Sequence, residues 1–128
     1  MILITGGAAQ GKQKFAMEYL GLTKIVDGSD CDFSEIKNIE CITNYHTIVK
    51  RLINENINAV EFTKKFCMEN QNAAVIICEV GSGIVPIEKN EREWREIVGR
   101  CGCIIAERSD TVIRMICGIP TVIKGELL

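Results

Sequence analysis

The most constraining feature of this 128-residue chain is the turn Gly6-Gly7-Ala8-Ala9-Gln10-Gly11-Lys12. It follows Ile2-Leu3-Ile4-Thr5, an apolar run that reads as a buried strand, and precedes Phe15, Ala16, Tyr19 and Leu20 at helical spacing. Strand, G-x-x-x-x-G-K turn and helix, in that order, define a P-loop. The glycines let successive backbone N–H groups curl around phosphate oxygens, and the lysine reaches the β- and γ-phosphates. Gly6, Gly7, Ala8, Ala9, Gln10, Gly11, Lys12 and Gln13 are therefore the candidate nucleotide-binding residues, with GTP or ATP as ligand. A Ser or Thr normally follows the lysine and contacts Mg2+. Here Gln13 stands in that place, and a neutral amide on a longer stem cannot copy the hydroxyl's geometry.

The remaining pattern alternates between strand and helix. Lys24 to Gly28 reads as a second strand, and residues 28 to 44 are polar, with one helical turn near Phe33 to Ile36. Tyr45, Ile48, Val49, Leu52 and Ile53 mark an amphipathic helix, and Ala59, Phe62, Phe66 and Cys67 another. Ala73 to Cys78 is apolar on both faces, as in a parallel sheet covered by helices. Trp94, Ile97, Val98, Cys101, Ile104 and Ile105 define the longest helix; Thr111 to Cys117 and Ile119 to Ile123 are the last strands. This order predicts an α/β, P-loop NTPase-like (RecA-like) three-layer sandwich with a mostly parallel sheet and right-handed crossovers. Residues 1–128 are expected to form a single nucleotide-binding domain.

Composition narrows the function. Fifteen basic against 17 acidic residues make no cationic field, which disfavours a nucleic-acid partner bound through bulk charge. No apolar run approaches the ~20 residues needed to span a bilayer, so no membrane insertion is expected. The opening residues lack the basic leader of a signal peptide. Seven cysteines without a C-x-x-C then suggest a cytoplasmic setting in which thiols act as small buried hydrophobes.

A P-loop enzyme needs an acid at a strand end to hold magnesium or its waters. Glu79, delivered by Val75-Ile76-Ile77-Cys78, and Asp27, after Ile25-Val26, both fit that description. Either can equally be a solvated or capping carboxylate. His46, the one histidine, is a candidate nucleophile for nucleotidyl transfer, with a surface helix histidine as the plainer account. Arg92, Arg95 and Arg100 are candidate phosphate clamps or simply the wet face of their helix.

The second half of the chain resembles one family. Glu79-Val80-Gly81-Ser82-Gly83-Ile84-Val85-Pro86, Arg92, Trp94-Arg95-Glu96, Gly99-Arg100, Ala106, Asp110-Thr111-Val112 and Gly118-Ile119-Pro120 are similar to the bifunctional adenosylcobinamide kinase/adenosylcobinamide-phosphate guanylyltransferases of cobalamin biosynthesis. Gly6 to Lys12 resembles their P-loop, and the likeness covers about residues 1–27 and 73–124. It implies phosphorylation of an adenosylcobinamide, then GMP transfer from GTP through a guanylated histidine, and a homo-trimer. It also implies a corrinoid substrate, gives Gly81, Gly83, Pro86 and Arg100 to the corrinoid or nucleotide pocket, and makes Glu40, in Glu40-Cys41-Ile42-Thr43, a third candidate metal ligand.

The pattern departs from the family at Gln10 and Gln13, which replace serines, and at Gly102, near an expected Asn. The segment that carries the family's nucleophilic histidine has no counterpart, and His46 lacks its Arg-Ile and Arg-Pro flanks. The sequence therefore describes a compact nucleotide-dependent transferase in which Lys12 and Glu79 are the catalytic candidates. Its rivals are a non-catalytic nucleotide-binding or regulatory relative and a kinase for some other alcohol.

Overall fold

The computed structural model describes residues 1–80 and 88–127. Six strands form one sheet: β1 (Ile2–Gly6), β2 (Ile25–Asp27), β3 (Cys41–Thr43), β4 (Ala74–Cys78), β5 (Thr111–Ile116) and β6 (Ile119–Lys124). Their order is β2-β3-β4-β1-β5-β6. Strands β1 to β5 run parallel, and β6 returns antiparallel to β5. The expected α/β P-loop-like sheet is present, with one hairpin in place of a final crossover. Cys117 and Gly118, both at positive φ, make the tight turn of that hairpin.

Strand side chains alternate between two cores. Leu3, Val75, Ile77 and Val112 face a cluster built with α2 (Tyr45–Asn54), α3 (Ala59–Glu69) and α4 (Lys89–Arg108). Ile4, Ala74, Ile76 and Ile113 face the other side, where Phe15 and Ala16 of α1 (Lys12–Glu18) cover them. The sheet thus lies between one short helix and three longer ones, which is the expected three-layer arrangement.

Local sequence explains each helix. Tyr45, Ile48, Val49 and Leu52 recur at i, i+3, i+4, i+7 and are fully buried. The Tyr45 hydroxyl meets the Thr63 hydroxyl at 2.8 Å, so the buried phenol is satisfied and its pKa is pushed far up by burial. Asn58 caps α3 by accepting from Glu61 N at 3.1 Å. The α1 helix ends at Glu18, and Gly21, at φ 68°, lets the chain turn back so that Leu22 N donates to Ala16 O at 3.1 Å.

All seven cysteines are free. Cys41, Cys67 and Cys101 are buried, and burial raises their thiol pKa values, that of Cys41 to about 11. Those three are packing residues. No helix among the described residues is long and apolar enough to cross a membrane.

A candidate phosphate site at the carboxyl edge of the sheet

Strand order decides which residues meet. β4 and β5 flank β1, and Gly6 pairs with Cys78 on one side and Met115 on the other. A Cβ on Gly6 would sit 2.6 Å from Met115 O, and its φ is +148°, so only glycine lets the strand turn into the loop here. Gly11, at φ 87°, forms the N-cap of α1, and no side chain caps that end. Lys12 folds back across the loop, its Nζ donating to Gly7 O at 2.6 Å.

The loop is pinned from the β5–β6 side. Gln10 Oε1 accepts from Cys117 N at 2.5 Å, and Gln10 O accepts from Gly118 N at 3.1 Å. The Gln10 side chain is committed to the hairpin, and its expected place in the phosphate-cradling loop is a matter of the backbone. A longer amide stem reaches a neighbour that a serine hydroxyl would not.

On the other side the loop opens into a cavity of about 320 Å³. Residues 8 to 14 line one wall, including Lys12, Gln13 and Lys14; Thr43, Asn44, His46, Ile76 and Cys78 line the rest. His46, in the first turn of α2, is half-buried, and its Nδ1 accepts from Cys78 N at 3.2 Å. Its pKa is lowered, first by burial and then by the charge of Lys12. Asn44, at φ 57°, is held by Asp27, whose Oδ1 accepts from Asn44 Nδ2 at 3.0 Å and from Ser29 N at 2.9 Å. Those bonds, that from Asn44 first, hold the Asp27 carboxyl below its usual range.

Glu79 stands where the sequence puts it, immediately beside the loop, its N–H donating to Gly6 O at 2.8 Å. Its carboxylate, however, is forked by Arg114 of β5: Nε to Oε1 at 2.9 Å and Nη2 to Oε2 at 3.1 Å. The same pair raises the Arg114 pKa. Asp27 shares the carboxyl edge but lies three strands from β1, about 14 Å away by strand spacing. Glu40 is at the opposite edge: Cys41, the next residue, is level with Ala74 and Ile2, and Glu40 Oε1 accepts from Thr23 N.

These donors do not fit magnesium as the sequence anticipates. Both Glu79 oxygens are taken by a cation, Asp27 is engaged by Asn44 and Ser29, Glu40 is at the opposite edge, and Gln13 supplies only a neutral amide. Among the described residues, no three His, Cys, Asp or Glu side chains are grouped to hold a metal.

Arg100 also departs from expectation. It lines a separate open groove of about 830 Å³ between the start of α3 and α4, with Asn58, Glu61 and Lys64. The helix turns it to that flank, away from the cavity at the loop. Gly81, Gly83 and Pro86 lie outside the described residues. Sequence reasoning missed Asn44, Cys78 and Arg114 as parts of the site, and the contact of the Cys117–Gly118 turn with the loop. An arginine in an otherwise apolar strand was the one available signal, at Arg114.

A family model described as cobinamide kinase / cobinamide phosphate guanyltransferase matches residues 32–123, well over half of the chain. The chain belongs to that family. The match includes the middle region, residues 32–72, which the resemblance in sequence leaves uncovered, and begins after the P-loop. It also spans His46, Glu79 and Arg114. No individual curated protein matches the chain.

Proposed function

We propose that this member of the cobinamide kinase/guanyltransferase family binds GTP or ATP through its triphosphate at Gly6 to Lys12 and works as a phosphotransferase on a cobinamide-type alcohol. The observation that carries the reading is the cavity into which the P-loop and Lys12 open, at the carboxyl edge where α/β sheets hold ligands. Loop N–H groups and the Lys12 ammonium supply positive charge where the transferred phosphoryl group gathers negative charge. Lys12 would exchange its bond to Gly7 O for phosphate oxygens. Mg2+ belongs to this reading only as the ion that a nucleoside triphosphate carries, because the described residues offer it no built cradle.

Lys12→Ala is expected to weaken GTP and ATP binding by at least about 100-fold in calorimetric titration. Undiminished affinity would sink the P-loop assignment. Turnover of adenosylcobinamide with GTP and with ATP then tests the reaction and names the base preference.

A second reading keeps the nucleotide and drops the chemistry. The Arg114 fork on Glu79 favours it, since the carboxylate beside the loop is already neutralised. In that case nucleotide binds with no turnover. A cytoplasmic, single-domain protein assembled as a homo-trimer with a corrinoid partner completes the family-based proposal; sedimentation analysis tests the assembly.

A further inference from the structure

From the hydrogen bond that fixes its ring, we infer that His46 is a phosphate-binding hydrogen-bond donor through Nε2–H, and is not a guanylated nucleophile. The inference deepens the P-loop reading and rests on it.

Three elements fix the ring. The β4 backbone alternates its donors, so Glu79 N points to β1 and Cys78 N points to the β3 side. β3 ends at Thr43 and pairs with β4 only at Ala74 and Val75, leaving no strand acceptor for Cys78 N. The chain turns there into α2, and His46 Nδ1 takes the place of that acceptor at 3.2 Å. From α4, Trp94 Nε1 donates to His46 O at 2.9 Å, and the two rings pack with centroids 6.5 Å apart.

A backbone N–H can only donate, so Nδ1 must carry a lone pair. In the neutral ring the proton is then on Nε2. That nitrogen is the one not engaged by Cys78, on a residue that lines the same cavity as Lys12 and the loop. Nδ1 is unavailable for attack on an α-phosphate while Cys78 N–H occupies it. Nε2 can attack only by passing its proton to Nδ1, where the Cys78 N–H would oppose it. A donor beside an ammonium and a ring of amides is suited to phosphate oxygens.

The sole histidine makes the test direct. In 15N NMR of the imidazole at pH 7.5, the ring should be the Nε2–H tautomer, and tripolyphosphate should shift the Nε2–H resonance. An Nδ1–H tautomer, or an imidazole indifferent to tripolyphosphate that the protein binds, overturns the inference.

Two variants separate phosphate binding from simple support of β4. His46→Asn keeps an acceptor near Nδ1 and removes the Nε2 donor; His46→Gln places an amide donor near Nε2. Expected are a roughly tenfold loss of GTP affinity in the Asn variant and recovery of most of that loss in the Gln variant. The reverse order assigns His46 a purely structural role and overturns the inference. Incubation with α-labelled GTP should leave no guanylate on His46, and a label there also overturns it. If wild-type protein binds no nucleotide, the P-loop reading falls and takes this one with it. If wild type binds and His46→Asn binds equally well, only this inference falls.

Discussion

The two flanks of the P-loop are built differently. Toward β5 and β6 the loop is closed: Gly6 touches Met115, Gln10 is bonded twice to the hairpin, and Arg114 crosses to Glu79. Toward β3 and β4 it opens on a cavity with Lys12, Asn44 and His46 in its walls. The closed flank holds the loop's shape with backbone contacts and polar bonds. The open flank leaves cationic and donor groups facing the space. Support from the closed side explains how an Ala-Ala-Gln loop keeps its curl without the usual serine contacts.

Changes on the closed flank should therefore act first on stability, and those on the open flank on ligand affinity. Gly6→Ala is the largest break. Its Cβ meets Met115 O, and its φ is unfavourable for alanine, so a loss of about 3 kcal/mol is expected in urea unfolding. A wild-type midpoint would contradict the close approach. Gln10→Ala should cost about 1 kcal/mol and lower GTP affinity a few-fold through a looser loop. An affinity loss as large as that from Lys12→Ala would mean that the Gln10 side chain contacts phosphate after all.

The open flank carries the pH dependence. The His46 pKa lies below its ordinary value of ~6.5, so the folded state holds the ring neutral more strongly than the unfolded chain does. The stability it contributes is present above ~6.5 and is lost as pH falls from there through the folded-state value. Lys12 and Lys14 from α1 share the cavity; Cys78 of β4 and Trp94 of α4 contact His46, and Lys50 and Glu91 pair beside Trp94. Denaturant midpoints of wild type and His46→Gln should converge between pH 7 and 5. Parallel curves would place His46 in water.

Arg114→Ala should have the smallest effect on stability, within the scatter of the unfolding midpoint, because the arginine is nearly half exposed. Its value is diagnostic. Freed of its fork, Glu79 should make GTP binding more dependent on Mg2+. An unchanged Mg2+ dependence would favour the reading in which Glu79 only ties β4 to β5.

Much of this was legible before the fold. The Gly6–Lys12 turn between an apolar run and a helical stripe needs only local spacing, and so does the doubly buried Ala74–Cys78 strand. The three Tyr45-to-Leu52 intervals likewise report one buried face. Asp27, Glu40 and Glu79 looked alike because each adjoins a short apolar segment. Strand order separated them: it put β4 against β1, left β2 three places away, and set Glu40 at the starting edge of its strand. The neighbours of the Arg100 and Gln10 side chains were not legible for a related reason, since a motif position says nothing about which neighbour a side chain meets.

The sequence alone thus determined the Gly6–Lys12 turn, the parallel α/β layering and the apolar faces that hold the layers together, all of which follow from short-range periodicity and turn chemistry. Tertiary structure decided the rest. That Glu79 meets Arg114, that Gln10 bonds the Cys117–Gly118 turn, and that His46 accepts from Cys78 are contacts across 35, 107 and 32 residues of chain. Such contacts depend on which strands become neighbours, and only the closing of the whole sheet settles that.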